Sequence, residues 1–357
     1  MPKTIVFLLI FLFVLGGLLL VRNNSLQNSS SLTTQKTSSE NSSNAKEVTH
    51  PLSISYMRAQ QYPGSDITIE QILSDGSNYH QYITSYKSEG LKIYALLTVP
   101  IPTPGSGQVK PKNGWPVILF NHGYIPPDIY RTNERYIAYV DAFSRNGYIV
   151  FKPDYRGNGL SQGQPEGAYY SPAYTIDDLN ALSSIKKYQV ADAKRVGVWG
   201  HSMGGNIALR DLVVRPNDVK AAVIWGGVVG SYDDLMNNWQ RRVPFVPSAR
   251  ELAFRNRYRQ NLISQYKTPT ENPTFWQAID PTFFVSDIQV PIQLDVGGSD
   301  EEVPVAFSQG LKTKLERAGK TVEYFEYPGA DHNISQSLGS ALDRSVAFFD
   351  KYLTNQK

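Results

Sequence analysis

From residue 116 onward, short and wholly apolar runs alternate with stretches of helical periodicity, and this alternation restricts the fold more than any other feature. A strand of a parallel sheet covered on both faces reads as a continuous apolar run, whereas the covering helices place apolar residues three or four positions apart. The sequence therefore predicts a doubly wound α/β domain with a mostly parallel sheet. The predicted strands are PVILF, YIVFK, RVGVW, AAVIW, PIQLDV and VEYFEY, and the helical positions include Tyr136, Val140 and Phe143, then Phe307, Leu311 and Leu315, then Leu338, Leu342 and Val346.

Two further strands are predicted before this region. YHQYITSYK and LKIYALLTV are joined by SEG, which is typical of a hairpin. The second strand alternates apolar residues from Leu91 to Val99, which predicts one buried face. The following stretch, PIPTPGSGQVKPKNG, is rich in Pro and Gly and predicts a surface loop.

One connection is much longer than the usual few residues: 231–288 separates AAVIW from PIQLDV. It contains Trp239, Trp276 and six arginines between Arg241 and Arg259. We expect this insertion to form a mostly helical lid over a functional site. A solvated helix face is the alternative explanation for the arginines.

The first residues indicate export. Lys3 precedes an apolar run, Thr4 to Val21, that Arg22 closes, and the run is long enough to cross a bilayer. No small-residue cleavage motif follows cleanly, so an uncleaved anchor over 1–22 is favoured over a removed signal peptide. Lys3 and the amino terminus, set against the lone Arg22, favour an extracytoplasmic body. Residues 23–47, rich in Ser and Asn, predict a disordered tether, and 48–357 the folded domain.

Composition excludes several classes of function. The chain has no cysteine, which rules out disulfides, thiol catalysis and thiolate metal sites. Its formal net charge is only +3 over 357 residues, which gives no indication of a nucleic-acid partner.

Two stretches have the form Gly-x-Ser-x-Gly, GHSMG around Ser202 and GLSQG around Ser161. The pattern raises a serine as a nucleophile only where a buried strand turns sharply into a helix. KRVGVW before Ser202 and NIALRDLVV after it fit that context. The stretch after Ser161 leads instead to Pro165 and Pro172. We therefore predict that Ser202 is the nucleophile and Ser161 a loop residue.

A serine hydroxyl needs a base to accept its proton. Of the chain's five histidines, His332 in PGADHN follows the last predicted strand, where the order serine, acid, histidine requires it. The acid should come from QLDVGGSDEEVP. Asp300 is the predicted partner of the His332 Nδ1 proton, with Glu301 as the alternative, since Asp295 lies inside the strand.

Oxyanion donors are expected at two backbone amides. One is the N–H of Met203, directly after the nucleophile. The other is the N–H of Tyr124 in FNHGY, the loop that follows PVILF, where Gly123 permits a close backbone approach. The predicted machinery requires no metal and no organic cofactor.

These segments resemble the catalytic domain of the prolyl oligopeptidase family, within the α/β-hydrolase fold. The resemblance covers residues 115–352 and includes FSRNGYIVFKPDYRGNGLSQG, in which a strand leads to a Tyr-Arg-Gly turn, together with the segments of Ser202, Asp300 and His332. It explains the second Gly-x-Ser-x-Gly stretch as part of that turn, where Asp154 and Arg156 are expected to brace the backbone. Two departures concern substrate access: too few residues precede the hydrolase core for a β-propeller, and NHGY replaces the His-Gly-Gly of aminopeptidase-like members.

The resemblance implies a serine peptidase acting on short peptides through an acyl-enzyme on Ser202. The same machinery serves an esterase acting on small esters, because fold and triad do not determine the leaving group. A third class is an inactive hydrolase-like binding module, whose usual sign is a missing triad residue; none is missing here.

Overall fold

The computed structural model describes residues 49–102, 109–244, 247 and 249–354. The predicted anchor over 1–22 and tether over 23–47 lie outside these ranges and stay predictions. None of the helices in the described ranges combines the length and apolarity needed to span a membrane.

A sheet of nine strands forms the centre of the described chain, in the order β1-β2-β3-β5-β4-β6-β7-β8-β9. The strands β4 to β9 pair in parallel, whereas β1, β2 and β3 are antiparallel to their neighbours. The predicted doubly wound, mostly parallel sheet is therefore confirmed. Their bounds are β1 Thr68–Ile72, β2 Tyr79–Ser88, β3 Leu91–Pro100, β4 Trp115–Asn121, β5 Ile149–Pro153, β6 Ala191–His201, β7 Ala221–Trp225, β8 Ile292–Gly297 and β9 Val322–Tyr327.

Helices cover the sheet and connect its strands. They are α1 Ile54–Ala59, α2 Ile137–Arg145, α3 Ala173–Ile185, α4 Met203–Val214, α5 Ala249–Tyr266, α6 Pro273–Ile279, α7 Val305–Arg317 and α8 Leu338–Phe349. Single π-helical turns occur at Asp234–Asn238 and Asp350–Thr354.

Two apolar clusters pack against the sheet, one on each face. Val117 and Leu119 of β4 belong to the first cluster, and Ile118 and Phe120 to the second. Successive strand residues point to opposite faces, so both sets must be apolar. This arrangement explains why β4 reads as an unbroken apolar run.

The hairpin differs in one respect from the sequence prediction. The middle of β3 is buried on both faces, because Leu97 packs in the first cluster and Leu96 in the second. β1, for which no strand was predicted, is exposed along its whole length at the edge of the sheet. An exposed edge strand needs no buried face, so its sequence carries no clear alternation of apolar residues.

The insertion 231–288 contains α5 and α6 and shares a third apolar cluster with the first described residues. Leu52 packs there with Leu262, Phe275 and Trp276. The ring of His50 also contacts Tyr266 and Phe275, at centroid distances of 5.5 Å each. The mostly helical character predicted for the insertion is observed, and its role as a lid stays a prediction.

The strand order reverses between β4 and β6. From β4 the chain crosses to β5 on one side, and β6 then pairs on the other side of β4. In sheets of this kind a crevice opens outside the carboxyl ends of the strands at such a point. The residues that follow β4 and β6 include His122, Gly123 and Ser202.

Candidate active site

Ser202 occupies the sharp turn between β6 and α4. Its backbone has φ 54° and ψ −118°, a combination that L residues rarely adopt. The turn is held from both sides, since the Ser202 amide donates to the Trp225 carbonyl at 3.0 Å and the Ser202 carbonyl accepts from the Val228 amide at 3.0 Å. Strain of this kind persists only where the surrounding structure imposes it. The strand-to-helix context predicted for Ser202 is therefore present.

Glycine is required beside this turn. A Cβ on Gly204 would lie 2.0 Å from the Asn121 carbonyl oxygen at the end of β4. A Cβ on Gly200 would lie 2.5 Å from the Gly204 carbonyl oxygen. Strand, turn and helix approach each other too closely at both positions for any side chain.

The structure brings His332 and Asp300 into contact. Nδ1 of His332 lies 2.7 Å from Oδ2 of Asp300, and the two side chains are only 6% and 0% exposed. Oδ1 of Asp300 accepts the amides of Glu302 at 2.8 Å and Val303 at 2.9 Å. An ionised carboxylate can only accept, so Nδ1 must carry the proton and Nε2 has the free lone pair. That tautomer is the one a general base needs.

The other acidic residues near this loop have different partners. Glu301 is exposed. Asp295 is buried in β8, where it accepts Nε2 of Gln293 at 2.6 Å and the Tyr327 hydroxyl at 2.7 Å, and burial raises its pKa to about 7. Asp331 accepts the amides of Asn333 and Ser335. Of the acids considered from sequence, Asp300 is the one in contact with His332.

Ser202 and His332 line the same cavity, which has a volume of about 550 Å³. Nε2 of His332 is buried and makes no hydrogen bond to any described residue. Six tyrosines and Trp239 contribute to the cavity wall. The arrangement leaves a basic nitrogen and a serine hydroxyl beside a space that can hold a small molecule.

Both predicted oxyanion residues, Tyr124 and Met203, also line this cavity. Met203 is the first residue of α4, where backbone N–H groups have no partner within the helix and the helix dipole favours negative charge. The Gly123 amide is already engaged, because it donates to the Tyr136 hydroxyl at 2.8 Å. The amide of Tyr124, in the same loop after β4, stays the predicted second donor for a substrate oxygen.

Ser161 lies in a loop, as the sequence indicated. Its hydroxyl accepts the Tyr94 amide of β3 at 2.9 Å, and its amide donates to Asn158. Arg156 in the same turn donates to Asp177 from both the backbone and the guanidinium. The hydroxyls of Tyr130 and Thr132 donate to Asp154 at 3.0 and 2.6 Å. Asp154 and Arg156 thus hold the turn, in agreement with the bracing expected of them.

Sequence reasoning missed the contacts between the insertion and the loop that carries Asp300. Nε1 of Trp239 donates to the Glu302 carbonyl at 2.8 Å, and Arg241 pairs with the Glu302 carboxylate at 2.6 Å. Arg242 donates from its side chain to the Asp300 carbonyl at 2.9 Å. Two of the six arginines thus hold the acid loop, whereas Arg257 and Arg259 are exposed on α5.

A buried carboxyl pair below the site was also missed. Asp178 of α3 and Asp211 of α4 are buried close enough for each to influence the pKa of the other. Burial raises the pKa of Asp178 to about 6 and that of Asp211 well above its usual value. Asp178 also accepts Nδ2 of Asn121 at 2.8 Å. Both aspartates lie in helices that are almost wholly buried, and no sequence pattern connects them.

Among the described residues, no three His, Asp or Glu side chains converge as a metal ion would require.

Comparison with known proteins gives one family match and several relatives. Residues 116–273 match the family described as Hydrolase_4, serine aminopeptidase, S33. The chain is similar to the "Uncharacterized peptidase YtmA" of Bacillus subtilis (strain 168), with 24% identity over 260 residues, which is 72% of this chain and 88% of the relative.

Solved structures of a peptidase and of an esterase are similar to this one. The acylaminoacyl peptidase of Pyrococcus horikoshii superposes with a TM-score of 0.61 at 20% identity, covering 79% of this chain and 43% of the peptidase. The acetyl xylan esterase from Paenibacillus sp. R4 gives a TM-score of 0.59 at 17% identity, covering 84% of this chain and 92% of the esterase. The chain thus spans less than half of the peptidase and nearly all of the esterase. At these identities the structures establish a shared fold.

Proposed function

We propose that this chain, which belongs to the α/β-hydrolase superfamily and is a serine hydrolase, transfers acyl groups through Ser202. The observation that carries the proposal is the 2.7 Å contact between His332 Nδ1 and Asp300 Oδ2, beside a cavity that Ser202 also lines. A buried carboxylate that accepts from Nδ1 leaves Nε2 as the basic nitrogen, and Ser202 is presented on a strained turn next to the same space.

The proposed reaction proceeds in two halves. Nε2 of His332 accepts the proton of the Ser202 hydroxyl as Oγ attacks the substrate carbonyl carbon, and Asp300 stabilises the resulting imidazolium. The carbonyl oxygen becomes an oxyanion, which accepts from the amides of Met203 and Tyr124; each such donor stabilises a transition state by about 3 kcal/mol. The imidazolium then protonates the leaving group, and water deacylates Ser202 by the same route.

Labelling with a fluorophosphonate probe tests the nucleophile. The wild-type protein should be labelled at one serine, Ser202→Ala should not be labelled, and Ser161→Ala should be labelled at the wild-type rate. Persistent labelling of Ser202→Ala would place the nucleophile elsewhere. A folded but unlabelled wild-type protein would favour the inactive binding module.

For the substrate, we propose short peptides, supported by the match of residues 116–273 to serine aminopeptidases and by the resemblance of the motifs to prolyl oligopeptidases. Turnover of peptide p-nitroanilides is the test, compared with short-chain p-nitrophenyl esters. If the anilides are hydrolysed no faster than the uncatalysed rate, the proposed peptidase activity is ruled out.

An esterase acting on small esters is the second candidate, and one observation favours it. The chain covers 92% of the length of an acetyl xylan esterase but only 43% of the peptidase structure. If the same enzyme hydrolyses acetyl esters but not peptide anilides, this second candidate replaces the first.

We also propose that residues 1–22 anchor the protein in a membrane, with the catalytic domain extracytoplasmic. The apolar run from Thr4 to Val21 between Lys3 and Arg22 supports this location. The full chain should partition with membranes and lose its catalytic domain to externally added protease, whereas a chain beginning at residue 48 should stay in the cytoplasm. Recovery of a mature protein that lacks residues 1–22 would show instead that the segment is cleaved.

A further inference from the structure

Three loops of the site are joined by one chain of hydrogen bonds. The Gly123 amide, after β4, donates to the Tyr136 hydroxyl at 2.8 Å. The Tyr136 hydroxyl lies 2.7 Å from Nδ1 of His201, the last residue of β6. Nε2 of His201 lies 3.1 Å from the backbone carbonyl oxygen of His332. This series of hydrogen bonds thus begins at Gly123, next to the proposed oxyanion amide of Tyr124, and ends at His332, the proposed base.

The chemistry of the groups determines the direction of every bond. A backbone carbonyl can only accept, so Nε2 of His201 carries a proton and donates to His332. Nδ1 of the neutral ring is then an acceptor, and the Tyr136 hydroxyl must be its donor. The same hydroxyl uses a lone pair to accept the Gly123 amide. Burial, reinforced by the neighbouring His332, lowers the pKa of His201 to about 3, consistent with a neutral ring.

The backbone around these residues is constrained. Arg135 and Tyr136 both have positive φ, 59° and 53°, so the chain is strained where it presents the Tyr136 hydroxyl. A Cβ on Gly123 would lie 2.6 Å from that hydroxyl and 3.1 Å from both Nδ1 of His201 and Cβ of Ser202. The rings of His201 and His332 are also in contact, with centroids 4.6 Å apart. Small displacements of either ring would therefore reach Ser202, His332 and the Gly123–Tyr124 backbone together.

We propose that His201 and Tyr136 are positioning residues of the acyl-transfer site, a bridge that holds the His332 loop and the Tyr124 amide in register with Ser202. This inference rests on the proposed function. Neither residue needs to touch the reacting atoms, because each acts through the loop to which it bonds. In this proposal His201, which lies between Gly200 and Ser202, connects Tyr136 to the His332 loop in addition to occupying the turn.

Three substitutions separate the parts of the bridge. Tyr136→Phe removes only the hydroxyl. His201→Gln keeps a donor for the His332 carbonyl and replaces the ring acceptor with an amide oxygen, whereas His201→Phe keeps a ring but neither bond. Because displacements of about 1 Å reduce turnover strongly, we expect kcat for p-nitrophenyl acetate to fall about 10-fold in Tyr136→Phe and about 100-fold in His201→Phe. KM should change less than about threefold, since positioning acts on the chemical step.

Partial rescue and non-additivity identify a bridge rather than general packing. His201→Gln should retain more activity than His201→Phe. The double variant Tyr136→Phe/His201→Phe should be no slower than His201→Phe alone, because coupled residues do not contribute independently. Tyr148→Phe is the matched control: its buried hydroxyl donates to Asp350 at 2.6 Å, away from the cavity, and its loss should leave kcat and KM unchanged.

Several outcomes would overturn the proposal: kcat within about twofold of wild type in both Tyr136→Phe and His201→Phe, a loss expressed in KM alone, or an equal loss in Tyr148→Phe. If His201→Phe fails to fold by circular dichroism, Tyr136→Phe and His201→Gln decide the question. Fluorophosphonate labelling separates this failure from that of the proposed function. An unlabelled wild-type protein would contradict both the proposed acyl transfer and the bridge. A labelled wild type with fully active variants would contradict only the bridge.

Discussion

Nε1 of Trp239 donates a hydrogen bond of 2.8 Å to the carbonyl oxygen of Glu302, which attaches the insertion to the loop that carries Asp300. The Trp239 ring also packs edge-on against Tyr169 and Phe307, at centroid distances of 5.6 and 6.2 Å. The insertion therefore supports the acid loop as well as forming part of the cavity wall.

Substitution of Trp239 should loosen the acid loop. Trp239→Phe removes the donor but keeps the ring, so we expect a loss of about 1 kcal/mol of unfolding free energy. Trp239→Ala also removes the ring contacts, and we expect kcat/KM to fall about 10- to 100-fold as Asp300 loses its fixed place. Leu252→Ala, on an exposed position of α5, is the control and should behave as wild type. Full activity in Trp239→Ala would show that the acid loop holds its place without the insertion.

The backbone strain at Ser202 should appear as a difference in unfolding free energy between two variants of this residue. At φ 54°, glycine is tolerated better than alanine, so Ser202→Gly should be more stable to urea than Ser202→Ala by about 1 kcal/mol. Ser161 is the control, because it has no positive φ and lies in the other Gly-x-Ser-x-Gly stretch. There Ser161→Gly should be no more stable than Ser161→Ala. Equal stabilities of the two Ser202 variants would contradict the strained turn.

Two helical glycines should respond in opposite ways to alanine. Gly204→Ala would place a Cβ 2.0 Å from the Asn121 carbonyl oxygen, so we expect a loss of about 1–3 kcal/mol in stability and of most activity. A Cβ on Gly310, exposed in α7, meets no atom within 4 Å, and Gly310→Ala should add about 0.5–1 kcal/mol. Urea denaturation and kcat/KM measure both. An active, stable Gly204→Ala would rule out the tight contact between β4 and α4.

The carboxyl pair Asp178 and Asp211 should make stability depend on pH. Their pKa values are raised in the folded protein, so the folded state binds more protons than the unfolded state above about pH 4. The contribution of this pair to the unfolding free energy therefore falls as pH rises from about 4 towards 8. Asp211→Asn removes one titrating group and should raise stability over wild type by about 1 kcal/mol or more at pH 8, and by less at pH 4.

Chemical denaturation at a series of pH values checks this expectation. Exposed Asp343 provides the control, since Asp343→Asn should follow the wild-type curve. A gain in Asp211→Asn that does not grow with pH would contradict the raised pKa of Asp211. Loss of stability at every pH would show that Arg210, which lowers the pKa of Asp211, needs the carboxylate.

Much of the fold could be predicted because buried parallel strands have a strong sequence signature. β4 and β7 are almost purely apolar, and the apolar residues of the helices between strands recur every three or four positions. The place of Ser202 followed from the strand KRVGVW before it and the helical stretch NIALRDLVV after it. β1 lacked such a signal, because a fully exposed edge strand imposes little pattern on its residues.

Contacts across loops were beyond sequence reasoning. Asp300 and Glu301 are adjacent in sequence, and only the turn after β8 decides which carboxylate meets His332. No sequence pattern predicts the contact of Tyr136 with His201 or of Trp239 with Glu302. The two residues of each pair follow, or end, different strands of the sheet. Such partnerships depend on the registers of the sheet and on loop conformations, which periodicity does not encode.

The packing of His50 and Leu52 against the helices of the insertion has a mechanical consequence. The described chain enters the folded unit at that cluster, beside Phe275 and Trp276, and not at the sheet. A pulling force transmitted along the preceding residues would therefore load the insertion and, through the hydrogen bond from Arg210 to the Leu52 carbonyl, helix α4. Tension on the chain would thus reach α4, which begins directly after Ser202, without first passing through a strand of the sheet.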